Sequence, residues 1–331
     1  MTHTAQARSH FRSFATVAAI STALVLGAGQ IGSAQAQAQG AGDAPFTVAE
    51  TGQTFANLQD AVSAIGAGEG TVMIAPGTYR QCAVQTAGRV AYRAISIGTA
   101  ILRGQACEGK AALVLRGGGA FVEGLVFSDI RVPDKNGSGI RLEAGDLTVT
   151  QSWFRDSEQG ILTGAGAGMS LRVDKSTFSR LGTCEGAGGC AHSVYVGDIA
   201  ESVVTASRFE AGRGGHYLKS RAARNVASSN SFDDSAGSAT NYMIDLPAGG
   251  TGEVRSNWFV QGRNKENYSA FIAVGAEGGQ HSSNGLQIAG NDARLVPGLR
   301  RSTIFVADWT GDNLVIEGNR LGAGLTKFER R

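Results

Sequence analysis

The chain has 331 residues, 42% of them hydrophobic and 18% charged, with 30 Lys and Arg against 28 Asp and Glu. That balance is too apolar for a disordered chain, and a net charge of +2 carries no general electrostatic footprint for nucleic acid or for a membrane surface. Glycine is abundant at 48 residues without a Gly-X-Y period, which excludes collagen and fits many tight turns between short strands.

At the N-terminus, Arg8 and Arg12 precede an apolar run from Phe14 to Gly27, followed by Ala34-Gln35-Ala36. A basic start, a short apolar stretch and a small-x-small site read as a secretory signal peptide over residues 1–36. The apolar run is shorter than the roughly 20 residues that a membrane-spanning helix needs. Its removal takes away two arginines and no acid, leaving a neutral mature chain that is secreted or periplasmic and expected to be a monomer. Residues 37–45 read as a polar, disordered lead-in, and residues 46–331 as one domain.

All four cysteines, Cys82, Cys107, Cys184 and Cys190, lie in the exported part. An even count in an oxidising compartment points to two disulfides. Of the three possible pairings, proximity favours Cys82 with Cys107 and Cys184 with Cys190. Zinc would ask for a Cys-x-x-Cys spacing that is not present.

Phe46-Thr47-Val48 reads as a short strand. Leu58, Ala61, Val62 and Ile65 then fall at helical spacing behind Asn57, a suitable N-cap, and glycines at 66, 68 and 70 end that helix. Thr71 to Tyr79 reads as one strand running into a turn. No helical pattern follows residue 67, which argues against a doubly wound α/β fold.

The second half of the chain repeats. A small polar residue stands two places before an apolar one in Ser152-Trp153-Phe154, Ser176-Thr177-Phe178, Ser207-Arg208-Phe209, Asn230-Ser231-Phe232, Asn257-Trp258-Phe259, Asn291-Asp292-Ala293 and Asn319-Arg320-Leu321. The spacings, 23 to 34 residues, are those of a solenoid coiled from strands. Asparagines at equivalent turns can then bond up the stack as a ladder.

The order of a capping helix, a strand and Pro76-Gly77-Thr78-Tyr79, followed by these coils, resembles the right-handed parallel β-helix proteins of the pectin-lyase-like superfamily. The resemblance covers roughly residues 46 to 322. It implies an all-β, single-stranded right-handed parallel β-helix with an N-terminal capping helix. It also implies activity on polysaccharide, since the superfamily includes lyases, hydrolases and epimerases beside plain adhesins.

Used as a ruler, the repeat aligns a second strand in each coil. Val194, Leu218, Ile244 and Ile272 form an inward column, and Tyr195, Lys219, Asp245 and Ala273 an outward one, with Arg221 in the next outward position. His192 and His216 align where the strands begin. Cleaving a uronate-containing polysaccharide by β-elimination needs a cation on the carboxylate, a base for the adjacent C–H and an acid for the leaving oxygen. Lys219 and Arg221 suit the first role, Tyr195, His192 or His216 the other two, and Asp245 orients Lys219 or a histidine. Arg224, Tyr217 and Tyr242 are candidate substrate contacts. No cofactor is implied, and the calcium-binding acidic cluster of the superfamily is not evident.

Two other readings stand beside this one. A glycoside hydrolase would use two carboxylates from Asp198, Asp233, Asp234 and Asp245. A non-catalytic carbohydrate-binding or surface protein would use exposed aromatics, with Tyr217, Phe271, Trp258 and Trp309 as platforms, although Trp153 and Trp258 sit in the repeat motif, where core or turn packing is expected.

Overall fold

The computed structural model describes residues 44–331. The expected signal peptide, residues 1–36, and residues 37–43 lie outside the described residues. The last residue of the expected lead-in is ordered, since Pro45 accepts a hydrogen bond from the Ala75 amide at 2.9 Å.

The chain forms an all-β parallel solenoid of about nine turns. Each coil contributes one strand to each of three sheets, of 12, 10 and 10 strands. In one coil these are Asp146–Thr150 in the first sheet, Trp153–Arg155 in the second and Gln159–Thr163 in the third. The first sheet starts from an antiparallel hairpin, in which Phe46–Val48 pairs with both Gln53–Phe55 and Glu69–Ile74. The stretch read as one strand from Thr71 to Tyr79 divides at Pro76. Glu69–Ile74 belongs to the first sheet and Gly77–Tyr79 to the second, because the proline marks a corner of the coil.

The expected helix spans Leu58–Ile65, capped by the Asn57 side chain on the Gln59 amide, and ends at Gly66 with φ of 61°. It buries Leu58, Ala61 and Val62. Gln59 then treats the exposed edge of the third sheet as a neighbouring strand would. Its side chain accepts from the Val84 amide at 2.7 Å and donates to the Val84 carbonyl at 3.1 Å. Both bonds satisfy backbone groups that an open edge would leave to solvent or to another chain.

The repeat motif marks the step from the first sheet to the second. The side-chain oxygen of each motif residue accepts from the backbone amide of the motif residue one coil earlier. The chain of bonds runs Ser152 to Ser176 (3.2 Å), Ser176 to Ser207 (3.1 Å), Ser207 to Asn230, Asn230 to Asn257 and Asn257 to Asn291 (2.9 Å each), and Asn291 to Asn319 (3.0 Å). The asparagines add a second bond from Nδ2 to a backbone carbonyl, as Asn257 does to Ala227 at 2.8 Å. The residue before each motif is left-handed, with φ between 46° and 64° from Gln151 to Gly318, and only positions 290 and 318 are glycine. The ladder stabilises a corner whose backbone is otherwise disfavoured by about 1 kcal/mol per non-glycine residue.

Two places on, the phenylalanines stack. Phe127, Phe154, Phe178, Phe209, Phe232 and Phe259 lie face to face with centroids 4.7 to 5.0 Å apart, one strand spacing. Phe127 belongs to a copy that the motif misses, since Leu125 stands where later coils have serine; its amide still donates to Ser152 Oγ. The middle residue of each motif points outward. Trp153 and Trp258 are therefore 39% and 37% exposed rather than part of the core or turn packing.

Room for the rings comes from the third sheet. A Cβ on Gly139 or Gly160 would fall 2.7 and 2.8 Å from the rings of Phe154 and Phe178. In later coils the same corner holds Tyr217, Met243, Phe271 and Phe305, all buried in the core. This corrects the expectation that Tyr217 and Phe271 are outward platforms. Tyr217 precedes the strand Leu218–Ser220 and Phe271 is the second residue of Ala270–Val274; both stand one place before the inward column, at the corner where the chain still turns and strict alternation does not hold.

Both disulfides have the expected pairing, Cys82 with Cys107 and Cys184 with Cys190, and no cysteine is left free. The first joins the approaches to Ala83–Gln85 and Ala111–Leu115, neighbouring strands of the third sheet. Such bonds suit an oxidising compartment. Among the described residues no helix is long and apolar enough to cross a membrane.

Replacing Asn257 by Ala orphans the Asn230 amide and the Ala227 carbonyl inside the corner, so denaturant unfolding should show a loss of about 2 to 4 kcal/mol. Asn257→Ser should recover part of it, because serine serves the same amide at 152, 176 and 207 but cannot reach the carbonyl. Equal losses in the two variants would show that the ladder bond contributes nothing.

Candidate functional site

The third sheet places the outward residues in register. Val194, Leu218, Ile244 and Ile272 pair in sequence across four coils, and so do Tyr195, Lys219, Asp245 and Ala273. The first column is buried in the core; the second stands on the opposite face of the same strands.

Lys219 is the centre of that face. Its Nζ lies 2.9 Å from Asp245 Oδ2 and 2.5 Å from Glu277 Oε1. Arg221 binds the other oxygen of Glu277 and donates from Nε to the Tyr195 hydroxyl at 3.1 Å. Two cations and two carboxylates thus form one charge-balanced chain that ends on a phenol. The Lys219 side chain is only 9% exposed and that of Glu277 is 45% exposed, so the group splits into a fixed floor and an outer member.

The histidines stand beside the floor. The rings of His192, His216 and Tyr242 follow one another along the solenoid with centroids 5.0 and 5.5 Å apart. His192 Nδ1 accepts from the His216 amide at 2.9 Å, so its own proton resides on Nε2. His216 Nε2 lies 3.3 Å from Asp245 Oδ2, the oxygen that also holds Lys219. His216 Nδ1 and Asp245 Oδ1 are buried without a hydrogen-bond partner, and unsatisfied buried groups of this kind call for an explanation, a catalytic role being one.

Burial governs the protonation of these groups. Desolvation, assisted by the nearby Lys219 charge, pushes His192 down to about 3. It depresses His216 well below the ordinary histidine value, with His192 and Lys219 adding to the effect. Burial also raises Asp245, against the pull of Lys219. For Lys219, burial acts to lower the value, but Asp245 and Glu277 outweigh it and the net direction is upward. Glu277 is held below the usual carboxylate range because its bonds to Lys219 and Arg221 overcome its desolvation.

The structure therefore brings together Tyr195, Lys219, His216, His192, Arg221, Asp245 and Tyr242. It does not bring Arg224 to them. That residue opens the first-sheet strand Arg224–Ser228, past the corner at Ala222, and pairs with Glu201. Tyr217 is also excluded from any substrate contact. It is 1% exposed, donates to Asp234 Oδ1 at 2.7 Å and accepts from the Gly212 amide. Asp234 in turn is buried against Lys265 at 3.2 Å and bonded by Thr240 and the Gly262 amide. This second buried cluster, unforeseen from sequence, ties down the segments flanking Tyr242, and it removes Asp234 from the carboxylates open to catalysis. Asp233 faces Arg208, and Asp198 meets His281 at 2.9 Å.

Glu277 is the residue that sequence reasoning missed. It lies in the non-repeating segment Gly275–Gly285, and its partners are 58 and 56 residues away. Only its position soon after Val274, which places it close to the corner next to the outward column, hinted at its role. Among the described residues there is no group of three or more His, Cys, Asp or Glu arranged to hold a metal ion.

No family model matches the chain, and no curated protein does. A solved structure titled Geobacillus virus E2 ORF18 superposes with a TM-score of 0.44 at 13% identity, covering 82% of this chain and 57% of its own. The chain thus spans little more than half of that protein.

Because His192 is neutral when folded, acid acts on it through the unfolded chain. Below the ordinary value of 6.5 the unfolded state takes up a proton that the folded state refuses until about pH 3, so the fold loses stability across that window and is unaffected above it. Urea midpoints measured from pH 7 to 4 should fall, and His192→Gln, which keeps an acceptor for the His216 amide, should flatten the decline. An unchanged acid slope in the variant would refute the assignment.

Proposed function

We propose that the protein is an exported polysaccharide-active enzyme that cleaves a uronate-containing chain by β-elimination, as its resemblance to the pectin-lyase-like superfamily implies. The observation that carries this reading is the Lys219–Arg221 pair beside the Tyr195 hydroxyl, on a sheet face long enough to take an extended chain. Lys219 and Arg221 neutralise the uronate carboxylate and so acidify the neighbouring C–H. Tyr195 takes the proton from carbon and returns it to the leaving glycosidic oxygen, because it alone among the base candidates is only partly buried, with its hydroxyl directly bonded to a guanidinium. The buried, neutral histidines are poor proton carriers here. His216 and Asp245 instead position Lys219, and Tyr242 extends the ring column towards substrate.

A hydrolase reading draws on the fact that Asp245 and Glu277 share one ammonium and so lie close together. Both are engaged in ion pairs, and Asp245 is only 2% exposed, which disfavours it as a nucleophile or as a base for water.

Acidic polysaccharides should be offered to the purified protein with ultraviolet absorbance and reducing ends followed in parallel. Elimination yields both an absorbing unsaturated uronate and a new reducing end, whereas hydrolysis yields the second alone. Tyr195→Phe should lower kcat/KM by about 10² to 10⁴ with an unchanged melting temperature. Full turnover in that variant removes Tyr195 from the mechanism, and reducing ends without absorbance replace the lyase by a hydrolase.

A further inference from the structure

Glu277 reaches the cation pair from an unusual direction. The third-sheet strand Ala270–Val274 ends at Gly275, whose φ is 73°, and the chain does not cross directly to the first sheet. It runs instead along the corner of the preceding coil, with the Glu277 amide on the Pro247 carbonyl at 3.1 Å and the His281 amide on the Ala248 carbonyl at 2.9 Å. From this track Glu277 extends two coils back, to Lys219 and Arg221. His281 extends three coils back, to Asp198, at 2.9 Å. Ser283 closes the far end on Asp312. Between the two long reaches stand Gly278 and Gly279; Gly278 has a φ of 86° and open space where a Cβ would be, so it serves the backbone rather than the packing.

We propose that the segment from Gly275 to Gly285 is a strap that fills the anion position of the site with its own carboxylate, and that Glu277 thereby determines which sugars are admitted. The inference rests on the reading of Lys219 and Arg221 as the carboxylate-binding pair. Glu277 is the most exposed of the four charged groups, and Lys219 keeps Asp245 when it leaves. A neutral sugar that pushed the strap aside would leave Arg221 without a carboxylate and Lys219 with Asp245 alone. A sugar carboxylate restores both contacts as it enters, so the exchange is close to even for an acidic ligand and costly for a neutral one. The strap is a filter for charge as well as a cover.

The test compares binding of galacturonate and mannuronate oligomers, and of their methyl esters, to the wild-type protein, Glu277→Gln and His281→Ala. Amide hydrogen exchange across residues 276–283 is followed in the same samples. Because the strap is closed on the cation pair, Glu277→Gln should tighten an acidic oligomer by about tenfold or more, since apparent affinity scales with the open fraction. His281→Ala, which loosens the latch without touching the cation pair, should move affinity in the same direction. The acidic oligomer should strip protection from the strap amides, and the methyl ester should not. Weaker binding by Glu277→Gln, or strap amides that stay protected in the bound protein, overturns the strap while the uronate reading stands. No binding of any acidic oligomer to either the wild type or Glu277→Gln overturns both.

Discussion

The structure depends on one constraint, that each coil must begin its second strand at the same height above the last. The bond from the Ser or Asn side chain to the backbone amide of the previous coil imposes it, because a side chain of fixed length meets an amide at about 3 Å only in one register. The phenylalanine stack follows from that register, two residues on, and the stack sets the width of the core. The third sheet then closes the coil around those rings, with glycine against Phe154 and Phe178 and with larger side chains in later coils, Tyr217 edge-on to Phe209 and Phe271 edge-on to Phe259. The columns of the candidate site are the outer face of this same closure.

The site shows how little of its chemistry needs special backbone. Tyr195, Lys219 and Asp245 are neighbours because parallel strands are stacked one spacing apart, and any three outward residues of those coils would be equally close. What distinguishes this face is desolvation. A lysine and an aspartate that would be an exposed ion pair of small worth become a buried pair with orphaned oxygen and nitrogen atoms beside them. Two neutral histidines complete a wall in which any unmatched charge is expensive, and that cost gives the outer carboxylate of Glu277 its leverage.

Legibility from sequence followed periodicity. The 24-residue interval that separates His192 from His216 and Tyr195 from Lys219 registers those two coils of the third sheet, and the apolar alternation of the next strands carries the register over the unequal steps that follow, 26 residues to Asp245 and 28 to Ala273. Where the period fails, so did the reading. Tyr217 stands one residue outside its strand, and extending alternation past the strand end turned it to the wrong face. Trp153 and Trp258 occupy the outward place of the motif, yet bulk and apolarity suggested the core. Arg224 is three residues beyond Arg221 but around a corner. Glu277, His281 and the Asp234–Lys265 pair are long-range contacts of non-repeating segments, with no spacing to betray them.

The coil-by-coil ladder has a consequence for how such a chain can change length. A whole coil duplicated or lost near the C-terminal end of the ladder alters only the height of the stack, since the units on both sides of the join present the same amide and the same acceptor. The identical event between Tyr195 and Asp245 would slide these residues and Lys219 past one another by one rung and dissolve the cluster. The scaffold tolerates any number of storeys, while its chemistry occupies three particular floors. Lineages descended from this chain would therefore vary freely in height and keep those three floors consecutive.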